Sequence, residues 1–154
     1  MSLPDEYLSV PPEYQIVTIR TVNFPRSLVY KAWTDPRHLK NWWGPKGFTN
    51  TFLEHDLRPG GRWRFVMHGP NGGNYKNDCV FLYLSEPECV VWKRYSQPYF
   101  SVVAWFEEEG AQTTITFRMI FDNLDTRRKV AAVAVDANEE NMDRLEAELA
   151  DMNQ

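Results

Sequence analysis

Hydrophobic positions change period several times along the chain, and each change marks an element. Residues 14–23, YQIVTIRTVN, alternate apolar and polar with many β-branched side chains, which predicts a first strand. Phe24-Pro25 ends it, and Pro25 suits the first turn of a helix that residues 27–33 (SLVYKAW) continue. Asp35 followed by Pro36 stops that helix and starts another, because Asp is a good N-cap and Pro fits the position after it. In this second helix Leu39, Trp42 and Trp43 fall at i, i+3 and i+4, so one apolar stripe is expected, closed off by Gly44-Pro45. From Thr49 to Phe121 the pattern is strand and short turn. The runs TFLEHDL, RWRFVMH, DCVFLYL, CVVWKRYS, YFSVVAWFEEE and TTITFRMIF predict six antiparallel strands. Alternation places Trp63, Phe65 and Met67 on one side of their strand, and Ile115, Phe117, Met119 and Phe121 on one side of theirs. Residues 124–152 then take the helical period. Asp125 or Thr126 is the expected cap, and Ala131, Val135, Asn138, Met142, Leu145, Leu149 and Met152 form the expected stripe.

The order β-α-α-β6-α defines an α+β domain over residues 14–152, preceded by a flexible lead-in at 1–13 containing Pro11-Pro12. A curved antiparallel sheet needs one face covered, and the long terminal helix is the natural cover. A strongly bent sheet packs incompletely against a straight helix, which implies an internal cavity. The two short helices would close one end of it.

Composition sharpens this picture. Aromatic residues make up 14% of the chain, with 6 Trp, 7 Tyr and 9 Phe, more inward aromatic surface than one helix covers. The expected walls are Trp63, Phe65, Met67, Trp92, Trp105, Phe117 and Met119, with Trp42 and Trp43 near the mouth. Tyr83, Arg94, Asn138 and Met142 complete the candidate set. Asn138 is the polar member of an apolar helix stripe and needs a partner: Tyr83, Arg94, a ligand or trapped water. The formal charge of −4 and the lack of a basic tract argue against a nucleic-acid surface, Arg127-Arg128-Lys129 being read as a solvated patch. No apolar run approaches the roughly 20 residues of a membrane span, and the N-terminus has no secretory pattern, so membrane insertion is not expected and a cytoplasmic location is. Cys79 and Cys89 sit at unequal distances from the predicted SEPE turn and are read as reduced thiols.

Catalytic motifs are mostly missing. There is no G-x-S-x-G, H-E-x-x-H or C-x-x-C, and GPNGG between two strands reads as a hairpin turn rather than a phosphate loop. His55 points to the opposite strand face from Glu54 and Asp56, so this trio cannot converge on one ion. A His55–His68 pair across the hairpin would lack the third or fourth protein ligand that a stable site wants, and neither a metal nor a cofactor is expected. An enzyme of the cyclase or hydrolase kind stays open as an alternative. It requires at least two of Glu54, His55, Asp56, Tyr83 and Arg94 to meet inside the cavity.

The stretches FPRSLVYKAWTDPRHLKNWWGPKGF, DLRPGGRWRFVMHGPNG, TTITFRMIF and MDRLEAEL resemble the domain of the activators of the heat-shock chaperone ATPase. That family lies within the START-like (SRPBCC) helix-grip superfamily. The resemblance spans roughly residues 14–150 and implies a helix-grip fold with a central cavity. Its functional implications are plural: a carrier of a small hydrophobic or amphipathic ligand, a cyclase-type enzyme, or a chaperone partner acting in the stress response, as a monomer or homodimer. Two positions depart from the family pattern. Ala137-Asn138 stands where members commonly have Gly-Trp, and Tyr83 where they commonly have glutamate, implying a more polar helix wall.

Overall fold

In the computed structural model, which describes residues 5–153, the chain starts with α1 (Asp5–Leu8) and a 3-10 turn at Pro12–Tyr14. Then follow β1 (Gln15–Val22), α2 (Arg26–Thr34), α3 (Pro36–Trp42), β2 (Thr49–His55), β3 (Arg62–His68), β4 (Asn74–Ser85), β5 (Cys89–Arg94), β6 (Ser101–Glu109), β7 (Gln112–Ile120) and α4 (Leu124–Met152). All seven strands join one antiparallel sheet in the order β1-β7-β6-β5-β4-β3-β2. The six later strands are thus a meander. The first strand returns to pair with the last, from Gln15 opposite Ile120 to Val22 opposite Thr113. The curved sheet holds α4 against one face: this is the helix-grip arrangement.

Side-chain parity sorts the sheet into two faces. Trp63, Phe65, Phe81, Val90, Trp92, Val102, Ala104, Phe106, Ile115 and Phe117 all point to the helix side and are buried. Cys89, Val91 and Val103 form a smaller cluster on the outer side, joined by Tyr7, Tyr83, Trp105 and Ile120. Tyr7 belongs to α1 and lies within the lead-in read from the sequence; residues 1–4 lie outside the described residues. Two β-bulges, between Phe52 and Glu54 and between Phe81 and Tyr83, insert one extra residue each and bend their strands.

Local chemistry sets the helix ends. Asp35 caps α3 by accepting from the Arg37 amide at 2.9 Å, with Pro36 in the first turn. Asn123, rather than Asp125 or Thr126, caps α4: its Oδ1 accepts from the Thr126 amide at 3.0 Å. The buried stripe of α4 is Ala134, Asn138, Asn141, Met142, Leu145 and Leu149. Val135, assigned to this stripe from the sequence, is 55% exposed. The stripe runs along the Ala134–Asn138–Asn141 side of the helix and leaves Val135 on its flank. Outside the core, Arg20 on β1 ties the sheet edge to α4 through Glu139 (3.0 Å), Asp143 (2.9 Å) and Glu146 (2.6 Å). No described helix is long and apolar enough to cross a membrane.

Candidate functional site

The two adjacent tryptophans do different work because α3 stops between them. Trp42 is the last helical residue and is fully buried, its ring 4.9 Å from that of Trp33 and its indole N–H donating to the Ala32 carbonyl at 3.0 Å. Trp43 has left the helix, with extended backbone, and turns toward the sheet, where it meets Trp63, Trp92 and Phe117 at 5.4–6.0 Å between centroids. It is half-buried and lines a cavity between α4 and the concave face.

That cavity measures about 150 Å³ and is lined by Trp43, Gly44, Pro45, Phe65, Met67, Asn77, Cys79, Trp92, Arg94, Phe100, Phe117, Met119, Asn138 and Asn141. The partial exposure of Trp43, Pro45, Met67, Arg94 and Phe100 marks where it reaches solvent. An apolar cavity of this volume is large enough for a benzene-sized guest.

Of the residues expected at the site, Trp43, Phe65, Met67, Trp92, Arg94, Phe117, Met119 and Asn138 line the cavity. Trp42, Trp63 and Met142 are fully buried behind its walls. Trp63 is stacked on Phe65 with centroids 4.3 Å apart. Trp105 and Tyr83 are on the outer face, which corrects their assignment to the cavity. Trp105 shares the parity of Val103, and its indole N–H donates to Glu107 at 2.9 Å. Tyr83 is opposite Val91, another outer residue, because the bulge after Phe81 resets the alternation.

Sequence reasoning missed Gly44, Pro45, Asn77, Cys79, Phe100 and Asn141 as lining residues. Parity could have found Asn77, which is 2% exposed and shares the inner face of β4 with Cys79 and Phe81. No sequence signal marks Phe100.

The rim is held by a clamp that the sequence does not announce. Arg144 reaches from α4 into the loop after α3, where its guanidinium donates to the carbonyls of Gly44 (2.8 Å), Pro45 (3.0 Å), Phe48 (2.8 Å) and Asn41 (3.1 Å). Asn141 Oδ1 accepts from the Gly44 amide at 3.2 Å, and Glu140 accepts from the Lys46 amide at 3.2 Å. Burial pushes the Arg144 pKa down, though an arginine stays cationic at neutral pH. Gly44 itself has φ +103°, and a Cβ there would lie 2.7 Å from the Met67 methyl carbon. The flexible Met67 end could move aside, but the positive φ strains any residue with a Cβ and favours glycine here.

The polar groups of the cavity are few. Asn77 donates to the Tyr75 carbonyl at 3.0 Å, while Asn138 donates to the Met119 sulfur at 3.4 Å. Arg94 donates from Nε to Ser96 O (3.0 Å) and from Nη2 to Gln97 O (2.9 Å), and lies 5.7 Å from the Phe100 ring centre. Burial lowers its pKa. Burial likewise pushes the Cys79 thiol up to about 12, so it is neutral at physiological pH.

Of the five groups named for acid–base work, only Arg94 reaches the cavity. Glu54 is exposed, and Asp56 pairs with Arg58 at 2.8 Å. His55 stacks on Phe52, and burial lowers its pKa. Cys79 and Cys89 are free and buried on opposite faces of the sheet. Among the described residues, no group of three or more His, Cys, Asp or Glu could hold a metal ion.

A curved sheet gripping one long helix, with an aromatic-lined hollow between them, defines a START-like helix-grip protein. The chain belongs to the AHSA1 family, the Activator of Hsp90 ATPase homolog 1-like proteins, whose model matches residues 23–150. Solved structures show the same fold. A crystal structure of a Nitrosomonas europaea protein superposes with a TM-score of 0.85 at 22% identity, covering 93% of this chain and 98% of that one. A solution structure from Arthrobacter aurescens gives 0.83 at 21% identity over 90% and 87%. The AHSA1 protein of Silicibacter pomeroyi gives 0.67 at 23% identity over 88% and 97%. No curated protein matches the sequence significantly.

Proposed function

We propose that this protein binds a small hydrophobic or amphipathic molecule in the cavity between α4 and the concave sheet face, as a cytoplasmic carrier or sensor. The observation that supports it most is the cavity itself. About 150 Å³ of space is bounded by Trp43, Phe65, Met67, Trp92, Phe117 and Met119, side chains that pack against an apolar guest without polar cost. The rim loop is pinned by Arg144 and Asn141, so the site is formed before a ligand arrives and less ordering entropy opposes binding. The volume sets the size class. One substituted ring or a short branched chain fits, whereas a sterol or long fatty acid would need the walls to move.

Trp43 and Trp92 line the cavity and so report on its contents. Intrinsic fluorescence titrated with single-ring compounds such as indole and toluene should saturate in the wild type. Asn138→Trp places an indole where the family pattern commonly has one and should fill the space, abolishing the response while the protein stays folded. A response that survives this filling would place the binding elsewhere. No response from any probe would retire the reading. Family membership supports a second reading, modulation of a chaperone ATPase, and an ATPase assay with Hsp90 that shows no stimulation would remove it.

A further inference from the structure

We propose that the ligand is a small carboxylate, its anionic end held by Arg94 and the Asn138 amide and its apolar body packed against Trp43, Trp92 and Phe117. The inference rests on the binding reading above and names the chemical class that the cavity selects.

Three observations carry it. First, Arg94 is the single charged residue lining the cavity. It follows Trp92 by two on β5, so parity turns it to the same concave face. Its Nε and Nη2 are engaged by the carbonyls of Ser96 and Gln97, which fix one edge of the guanidinium. Among the described residues, Nη1 has no hydrogen-bond acceptor, and no carboxylate lies within ion-pair distance of the side chain. The nearby Asp78 is committed to Arg64 at 3.0 Å. A partly buried cation with no counter-ion among the described residues is an arrangement that an anionic ligand satisfies.

Second, Asn138 is 7% exposed and, among the described residues, its one hydrogen-bond partner is the Met119 thioether at 3.4 Å. Sulfur is a weak acceptor, so a buried amide that lines the same space is left with unused hydrogen-bonding capacity. Third, the remaining surface of the cavity is dominated by aromatic and thioether groups, which suit a flat apolar body.

One fixed guanidinium matches one carboxylate. A dianion such as a phosphate monoester would need a second cation, and none lines the cavity. The neutral Cys79 thiol offers no nucleophile, so the arrangement binds without a covalent step.

Benzoate and benzyl alcohol, nearly equal in shape and differing in charge, are the probes. Calorimetry on the full chain should show benzoate binding about 10- to 100-fold more tightly than benzyl alcohol, the worth of a charge-assisted hydrogen bond. Arg94→Gln should remove that difference, bringing benzoate to the affinity of benzyl alcohol in the same variant, whereas Arg94→Lys should retain part of it. Thermal melts without ligand show whether each variant is folded. If Arg94→Gln does not fold, the two-probe comparison on wild type and Arg94→Lys decides. Equal affinity of the wild type for both probes would overturn the carboxylate proposal and leave the binding reading standing. Failure of both probes to bind would overturn the two together.

Discussion

Arg144 shows how much one side chain can organise. Its guanidinium is the common donor to five carbonyls of residues 41–48, a segment whose backbone pairs with no strand. Lysine cannot replace it, because a point charge on a flexible stem does not span those acceptors in one plane. Arg144→Met should cost about 2–4 kcal/mol, since several backbone carbonyls lose a charged donor at once. Arg144→Lys should recover less than half of that loss. Urea denaturation measures both, and a loss below about 1 kcal/mol for the methionine variant would mean that packing alone holds the loop. Arg94 is the contrasting case. Its fork is only partly engaged by protein, and under the carboxylate proposal the remaining edge goes to a ligand.

At the scale of elements, the short α3 depends on its cap. Asp35 accepts from the Arg37 amide and also from the Arg37 guanidinium at 2.7 and 3.1 Å. The guanidinium contacts are the main reason that its pKa falls to about 2. A carboxyl whose folded pKa lies below its unfolded value near 4 stabilises the fold above that pH, and the contribution disappears as pH drops toward 2. Asp35→Ala should therefore cost about 1 kcal/mol near neutrality, and the gap from wild type should close between pH 4 and pH 2. Stability curves for the two proteins across that range test it; a gap that stays constant would assign the effect to backbone geometry instead of charge. α3 matters to the site because its last turn decides where Trp42 ends and Trp43 begins.

For the whole molecule, the decisive feature is one helix lying across a sheet whose two edges are the first strand of the chain and the strand after α3. β1 pairs with β7 and is tied to α4 by Arg20 and its three carboxylates, which joins the two ends of the chain. These carboxylates are substantially exposed, so their attraction is screened by water and by salt. Arg20→Met should lower stability by about 1 kcal/mol at low ionic strength, and by much less at 1 M salt, where the screening length is about 3 Å. Equal losses at both ionic strengths would show that the aliphatic stem, packed along α4, matters more than the charge.

Hydrophobic period and turn chemistry determined most of the architecture: seven strands, two short helices split at Asp35-Pro36, and one long terminal helix. These are local signals, written in neighbouring residues, and they needed no knowledge of distant contacts. Parity likewise placed Phe65, Met67, Phe117 and Met119 on the concave face. The tertiary structure alone decided which aromatic side chains border the cavity and which support it. The bulge after Phe81 turned Tyr83 outward, and the end of α3 sent Trp42 and Trp43 in different directions, although spacing had put both on one stripe. It also brought Arg144 to the loop and set Arg94 and Asn138 around one space, pairings across 44 or more residues that no local pattern encodes. Local sequence sets which way a side chain faces from its own element; only the packed chain sets what it meets there.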